Sequence, residues 1–209
     1  MEDIMRKEIQ QLIRNEADAI LNIPVAEHFE QALELIYNRV HLKGGKVIAS
    51  GMGKAGQIAI NIATTFSSTG TPAVFLHPAD AQHGDLGVLQ PNDLLLLISN
   101  SGKTREILEL FELARNLVPG IPIVLITGNP ESPLARKADV TIFTGAPHEV
   151  CTLGLTPTTS TTVMTVIGDI LVVMMMKRIR FSPEDYAKRH HGGYLGAKSR
   201  EIVNNNKKS

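Results

Sequence analysis

The 209 residues are enough for one full α/β domain with its own hydrophobic core. Lysine plus arginine equals aspartate plus glutamate at 21 each, so the chain lacks the basic footprint of a nucleic-acid binder. One cysteine, Cys151, excludes an internal disulfide and fits a reducing cytoplasm.

The start, Met1-Glu2-Asp3, is acidic and carries no signal-peptide pattern. Residues 3–21 predict a helix with Met5, Ile9, Leu12, Ile13, Ala17 and Ile20 on one face. Asn22-Ile23-Pro24 breaks it. Val25, Phe29, Ala32, Leu33, Ile36, Tyr37 and Val40 then set a second helix, which Gly44-Gly45 ends. This N-terminal helical hairpin, 1–43, is expected to cover a sheet edge or to pack on a partner subunit.

Strands are predicted at 46–50, 72–76, 93–99, 121–127 and 140–143. The first turns through Gly51-Met52-Gly53-Lys54-Ala55-Gly56 into a helix striped by Ala55, Ile58, Ala59, Ile62, Ala63 and Phe66. After the second comes a loop, 77–90, holding His83-Gly84-Asp85. The third is apolar throughout, as a strand buried on both faces should be. Its helix turns Ile107, Leu110, Phe111, Ala114 and Leu117 inward, and a short helix is expected at 134–138. Strands alternating with helices specify an α/β fold: a doubly wound, five-stranded parallel sheet flanked by helices. Ligands of such sheets bind outside the carboxyl ends of the strands. The Gly51 turn, the His83 loop, the Ser99 turn and the Glu149 loop all lie there.

A long helix at 158–179 is apolar nearly all round and calls for burial on every side, part of it by a subunit interface. Its run 163–176 is interrupted by Thr165, Gly168 and Asp169 and reads as too short and too polar to span a bilayer. Ser182 and Pro183 form a helix start that runs to His190-His191-Gly192-Gly193. Residues 1–203 are expected to be a single domain and 204–209 a frayed tail. Cys151 reads as a small buried residue.

The turn Ser99-Asn100-Ser101-Gly102-Lys103-Thr104 crowds four side-chain donors at the start of a helix. A helix N-terminus offers unpaired N–H groups and the positive end of its dipole, so Ser99, Asn100, Ser101 and Thr104 read as a phosphate cradle. An ordinary capped helix start is the plain alternative. The turn is not a Walker loop, which needs glycine where this chain has Leu97.

Six segments together resemble the sugar isomerase (SIS) domain, and within it the D-arabinose 5-phosphate isomerases. They are GMGKAG at 51–56, HGDLG at 83–87, ISNSGKTREI at 98–107, ITGNPESPLARKADV at 126–140, TLGLTPTTSTT at 152–162 and HxGGxLG at 190–196. The resemblance departs at His191, where the family usually has proline. Many members also continue into paired cystathionine-β-synthase-type domains. The sequence ends at Ser209 without them, so the expectation is an isomerase core not regulated through such a pair.

The resemblance implies reversible conversion of D-ribulose 5-phosphate to D-arabinose 5-phosphate in the supply of 3-deoxy-D-manno-octulosonate (Kdo), by a cytoplasmic homotetramer with sites near subunit boundaries. Moving a proton between C1 and C2 through an enediol requires a base, an acid for the carbonyl oxygen and a phosphate anchor, with no cofactor. Glu149 and Glu106 are the family's functional glutamates. Glu149 is favoured slightly as the base, although either suits the role, and a first-turn acid such as Glu106 also simply stabilises its helix. Lys54, against the dipole preference at its helix start, suits the enediolate charge. His190 suits ring opening or proton shuttling. His83 is expected to contact substrate hydroxyls, from the next subunit in one arrangement. Gly53, Thr158 and Thr159 complete the expected binding set. His77, His83, His148, His190 and His191 show no zinc spacing, and no metal is expected. CMP-Kdo is a candidate feedback ligand in the same cleft.

Two other readings compete. Gly51, Gly53 and Gly56 satisfy a dinucleotide-binding fingerprint, but the acid it needs at the end of the second strand is replaced by Phe75-Leu76-His77. A non-catalytic sugar-phosphate sensor would usually carry a DNA-reading domain, for which this neutral chain has no room.

Overall fold

The structure is a computed structural model and describes residues 2–206. Five parallel strands, β1 (Val47–Gly51), β2 (Ala73–Phe75), β3 (Leu94–Ile98), β4 (Ile123–Thr127) and β5 (Val140–Phe143), form one sheet in the order β2-β1-β3-β4-β5. Every residue of β3 is fully buried. Leu94, Leu96 and Ile98 face one core and Leu95 and Leu97 the other, which is why the strand shows no polar alternation. At about 1.5–3 kcal/mol per buried aliphatic side chain, this strand is a principal source of cohesion.

On the first face lie α1 (Glu2–Leu21), α2 (His28–Ile36), α3 (Lys54–Ser68) and α6 (Thr159–Arg178). The opposite face carries α5 (Arg105–Leu117) and α4 (Pro78–Ala81). α2 widens into a π-helical turn, Tyr37–Leu42, before the chain enters β1. At the amino end of the sheet Asp93, 1% exposed, accepts from the Lys46 ammonium at 2.7 Å and from the amides of Lys46 and Gln90 at 2.8 Å, pinning β1 beside β3.

The hairpin does cover the sheet edge: α2 packs on β5, and both hairpin helices pack on α6. Only the carboxyl-terminal part of the α1 stripe is covered, however. Ile20 and the following Ile23 join the core, while Met5, Ile9, Leu12 and Ile13 remain exposed. α6 buries Val163, Met164, Ile167, Leu171, Val172 and Met175 and leaves Val173 and Met174 open. Its 20 residues are, by length and composition alone, long and apolar enough to cross a membrane, contrary to the sequence expectation. Half of its apolar window is instead buried against the fold, with Gly168 letting it approach Ile62 of α3.

Four further expectations are corrected. The 77–90 segment is not a plain loop but holds α4 and a 3-10 turn, Asp85–Val88. Residues 134–137 form consecutive turns rather than a helix: Arg136 and Ala138 bond back to Ser132 and Leu134 but the pattern does not run on, and Leu134 is tied to the Gly102 carbonyl. Leu117 is exposed, and Val118 takes the buried position after the helix ends. The carboxyl end has an unforeseen helix, α8 (Gly193–Asn206), packed against α7 (Pro183–Arg189). It continues through 204–206, where a frayed tail is expected from sequence; 207–209 lie outside the described residues. At the start of α7 the Ser182 and Asp185 side chains and amides bond reciprocally, as the Ser-Pro start foretells.

Candidate active site

β1 and β3 are neighbours, with Gly51 opposite Ile98, and their connecting helices leave to opposite faces. The carboxyl ends of this pair form the switch point at which a doubly wound sheet opens a crevice. The Gly51 and Ser99 turns emerge there side by side. A Cβ on Gly51 would sit 2.7 Å from the Ala55 backbone, so the turn is tight by necessity. Gly53 has φ +57° and ψ −126°, a conformation that only glycine adopts readily. It delivers Lys54 to the first position of α3. The Lys54 Nζ donates to the Pro157 carbonyl at 3.2 Å, bridging α3 to the segment before α6. A cleft of about 500 Å³ opens beside it, walled by Gln57 and Asn61 of α3 and Thr161 and Thr165 of α6.

In the Ser99 turn the donors divide into two kinds. The Ser99 hydroxyl is buried, lies 3.0 Å from Oγ1 of Thr104 and accepts the Gly102 amide at 3.2 Å. It ties the turn together from within. Gly102 has φ +61°, and a Cβ there would fall 2.0 Å from the Ser132 hydroxyl. Asn100 and Ser101 are exposed. Thr104 stands at the N-cap of α5, yet among the described residues no side chain caps the amides of the first turn. The 13-residue helix therefore presents its N–H groups and dipole to the crevice. Glu106, in that first turn, is half-buried and makes no hydrogen bond or ion pair among the described residues.

Glu149 follows β5 and reaches the start of α6. Its Oε2 accepts the Thr158 amide at 2.7 Å, the Thr158 hydroxyl at 3.0 Å and the Ser160 amide at 3.3 Å; Oε1 receives none of the three. Burial pushes this carboxyl up, but the hydrogen bonds from Ser160 and Thr158 together outweigh it and hold the group below the usual glutamate range. Glu149 thus occupies the N-terminus of α6 as a carboxylate. Thr159, fully buried, donates to Oε1 of Glu16 at 2.9 Å and accepts the Val150 amide at 3.2 Å. The hydroxyls of Thr158 and Thr159 thereby donate to the Glu149 and Glu16 carboxylates. Glu16 was missed in the sequence, although its place between Leu12, Ile13 and Ile20 marks it as an acid on an apolar stripe.

Cys151 is half-exposed rather than buried, because its sulfur accepts amides of the surface turn that follows it. The Thr156 amide, opposed by burial and helped by that of Leu155, brings the thiol down to about 7. Two expected residues stand apart from this cluster. His190 bonds Nδ1 to the Tyr186 carbonyl at 3.1 Å and stacks on the Tyr186 ring at 3.7 Å, all within the α7 segment. His83 is exposed between α4 and the 3-10 turn. Among the described residues neither bonds to Lys54, Glu149 or the Ser99 turn. No three His, Cys, Asp or Glu side chains among them converge to hold a metal.

Residues 42–174 match the SIS domain model. The chain belongs to the SIS domain family. It is 46% identical over 186 residues to the arabinose 5-phosphate isomerase KdsD of Yersinia pestis and 44% identical over 190 residues to that of Pseudomonas aeruginosa. These alignments take in 89% and 90% of this chain but 55% and 56% of the relatives, so the chain spans about half the length of the curated relatives it matches. Among solved structures it is similar to a Bacteroides fragilis protein described as a candidate phosphosugar isomerase involved in capsule formation. The TM-score is 0.90 and the identity 68%, over 91% of this chain and 99% of that one. An Escherichia coli protein solved in complex with arabinose 5-phosphate superposes with a TM-score of 0.83 at 33% identity, over 90% of this chain and 98% of that one.

Proposed function

We propose that this SIS domain interconverts D-ribulose 5-phosphate and D-arabinose 5-phosphate through an enediol. The observation that carries the proposal is the 46% identity, across 89% of the chain, with a relative named for that activity. The solved relative in complex with arabinose 5-phosphate supports the same substrate class.

In this reading the uncapped first turn of α5, with the exposed Asn100 and Ser101, holds the phosphate, while Ser99 and Thr104 fix the turn. Anchoring the phosphate immobilises C1 and C2 against the carboxylate that moves the proton. Glu149 is that base: donors from Thr158 and Ser160 hold its carboxylate at the start of α6, oriented to take a proton. Glu106 is the alternative base. The Lys54 ammonium, next to the Glu149 loop through Pro157, balances the charge that develops on the enediolate. His190 and His83 join this machinery from neighbouring copies in a homotetramer, His190 to open the sugar ring and His83 to hold hydroxyls. The exposed apolar faces of α1 and α6 suit such an assembly.

The pathway role that follows is supply of arabinose 5-phosphate to Kdo synthesis in the cytoplasm, with CMP-Kdo as a feedback ligand of the cleft. Purified protein incubated with D-ribulose 5-phosphate should form D-arabinose 5-phosphate; binding without turnover would replace the enzyme by a sensor.

A further inference from the structure

Glu16 is a polar group that the proposed chemistry leaves unused. It projects from α1 onto the first turn of α6, the turn whose amides hold Glu149. One carboxylate oxygen, Oε1, takes the Thr159 hydroxyl proton at 2.9 Å. The other, Oε2, is buried and has no hydrogen-bond partner among the described residues. Burying an acceptor without a donor costs about 1–3 kcal/mol, so stability alone does not call for a glutamate here.

The arrangement does have a geometric consequence. A threonine hydroxyl carries one proton and rotates to suit its partners. With that proton committed to Glu16, a lone pair of Thr159 Oγ1 is directed to the Val150 amide at 3.2 Å. Val150 is the residue after Glu149, and Thr159 lies between the two residues whose amides bind the Glu149 carboxylate. Without Glu16 the hydroxyl proton would lose its acceptor and the hydroxyl would be free to rotate away from the Val150 amide. Glu16 therefore braces the loop carrying Glu149 at its root.

We propose that Glu16 is a positioning residue, acting through Thr159 and the Val150 amide to fix the Glu149 carboxylate for proton transfer. This rests on Glu149 being the base.

The test is a double-mutant cycle in the full chain, with kcat and KM measured on arabinose 5-phosphate and thermal unfolding measured on every variant. Glu16→Ala and Thr159→Val should each lower kcat by about tenfold with KM little changed, the cost of a misplaced catalytic group. The double variant should lose no more than either single one, because both remove one relay. Glu16→Gln and Thr159→Ser, which keep the acceptor and the hydroxyl, should retain most of kcat. The Tm of Glu16→Ala should hold or rise, since the unpartnered oxygen is gone. A Glu16→Ala variant with wild-type kcat overturns the proposal, as do additive losses in the double variant or a loss that merely follows the folded fraction. Glu149→Gln separates the two readings. If it abolishes turnover while Glu16→Ala does not affect it, the brace fails and the base stands. If Glu149→Gln turns over normally, the base fails and the brace with it.

Discussion

The amide and the hydroxyl of Thr158 both donate to Oε2 of Glu149, at 2.7 and 3.0 Å, while Oε1 receives neither. A carboxylate held by such donors at a helix N-terminus is ionised and oriented, the two properties a proton-abstracting base needs.

Thr158→Val removes the hydroxyl and keeps the amide. The Glu149 carboxyl should then titrate at a higher pH, and the acid limb of kcat/KM should move upward with it. The sign for stability is fixed by the same shift. Folding depresses this carboxyl, so its ionised form stabilises the fold above its unfolded value, and the contribution is lost as pH falls through the folded value. In Thr158→Val the contribution should be smaller and its loss complete at a higher pH. Thermal unfolding followed from neutral pH into the acid range checks it, alongside the pH–rate profile.

Lys54→Met removes the ammonium but keeps the length of the side chain. Turnover should fall by about 10²–10³, the usual cost of losing one electrostatic partner of a developing oxyanion. The loss of its single hydrogen bond to Pro157 should scarcely change Tm. Steady-state kinetics with a parallel melt distinguishes the two.

Ser99→Ala strands the Thr104 hydroxyl inside the turn, while the Gly102 amide keeps its bond to the Ser99 carbonyl. Stability should fall by about 1–3 kcal/mol, and KM for the phosphosugar should rise more than kcat falls. Denaturant unfolding and kinetics together test whether the hydroxyl shapes the cradle.

Cys151 should alkylate with a rate that titrates near 7, where an ordinary thiol titrates near about 8.5. Iodoacetamide labelling against pH reads the midpoint directly. Labelling should also depress activity, since the sulfur closes the turn between Glu149 and Thr158.

Much of this was legible in the sequence because the signals are local. The apolar run of β3 announces a strand buried on both faces, and the Ser182-Pro183 start announces its cap. The turns ending β1 and β3 were legible as neighbours of a ligand crevice from the alternation of strands and helices alone. What sequence did not disclose depends on contacts between distant segments. Ser99 and Thr159 look like free donors until the fold commits their hydroxyls to Thr104 and Glu16. Cys151 looks like a core residue until amides of the 155–156 turn reach its sulfur. At 134–138 isolated helical bonds form without running on into a helix. α8 leaves little trace in the sequence because its apolar stripe is weak and follows two glycines.

The most direct test of the central claim is isomerisation in deuterium oxide, followed by NMR, comparing the wild type with Glu149→Gln and Glu106→Gln. The account predicts that ribulose 5-phosphate becomes arabinose 5-phosphate carrying solvent deuterium at C2, that Glu149→Gln slows this by about 10²–10⁴, and that Glu106→Gln slows it far less. Full-rate exchange in Glu149→Gln, or a bound phosphosugar that never exchanges in the wild type, would contradict it.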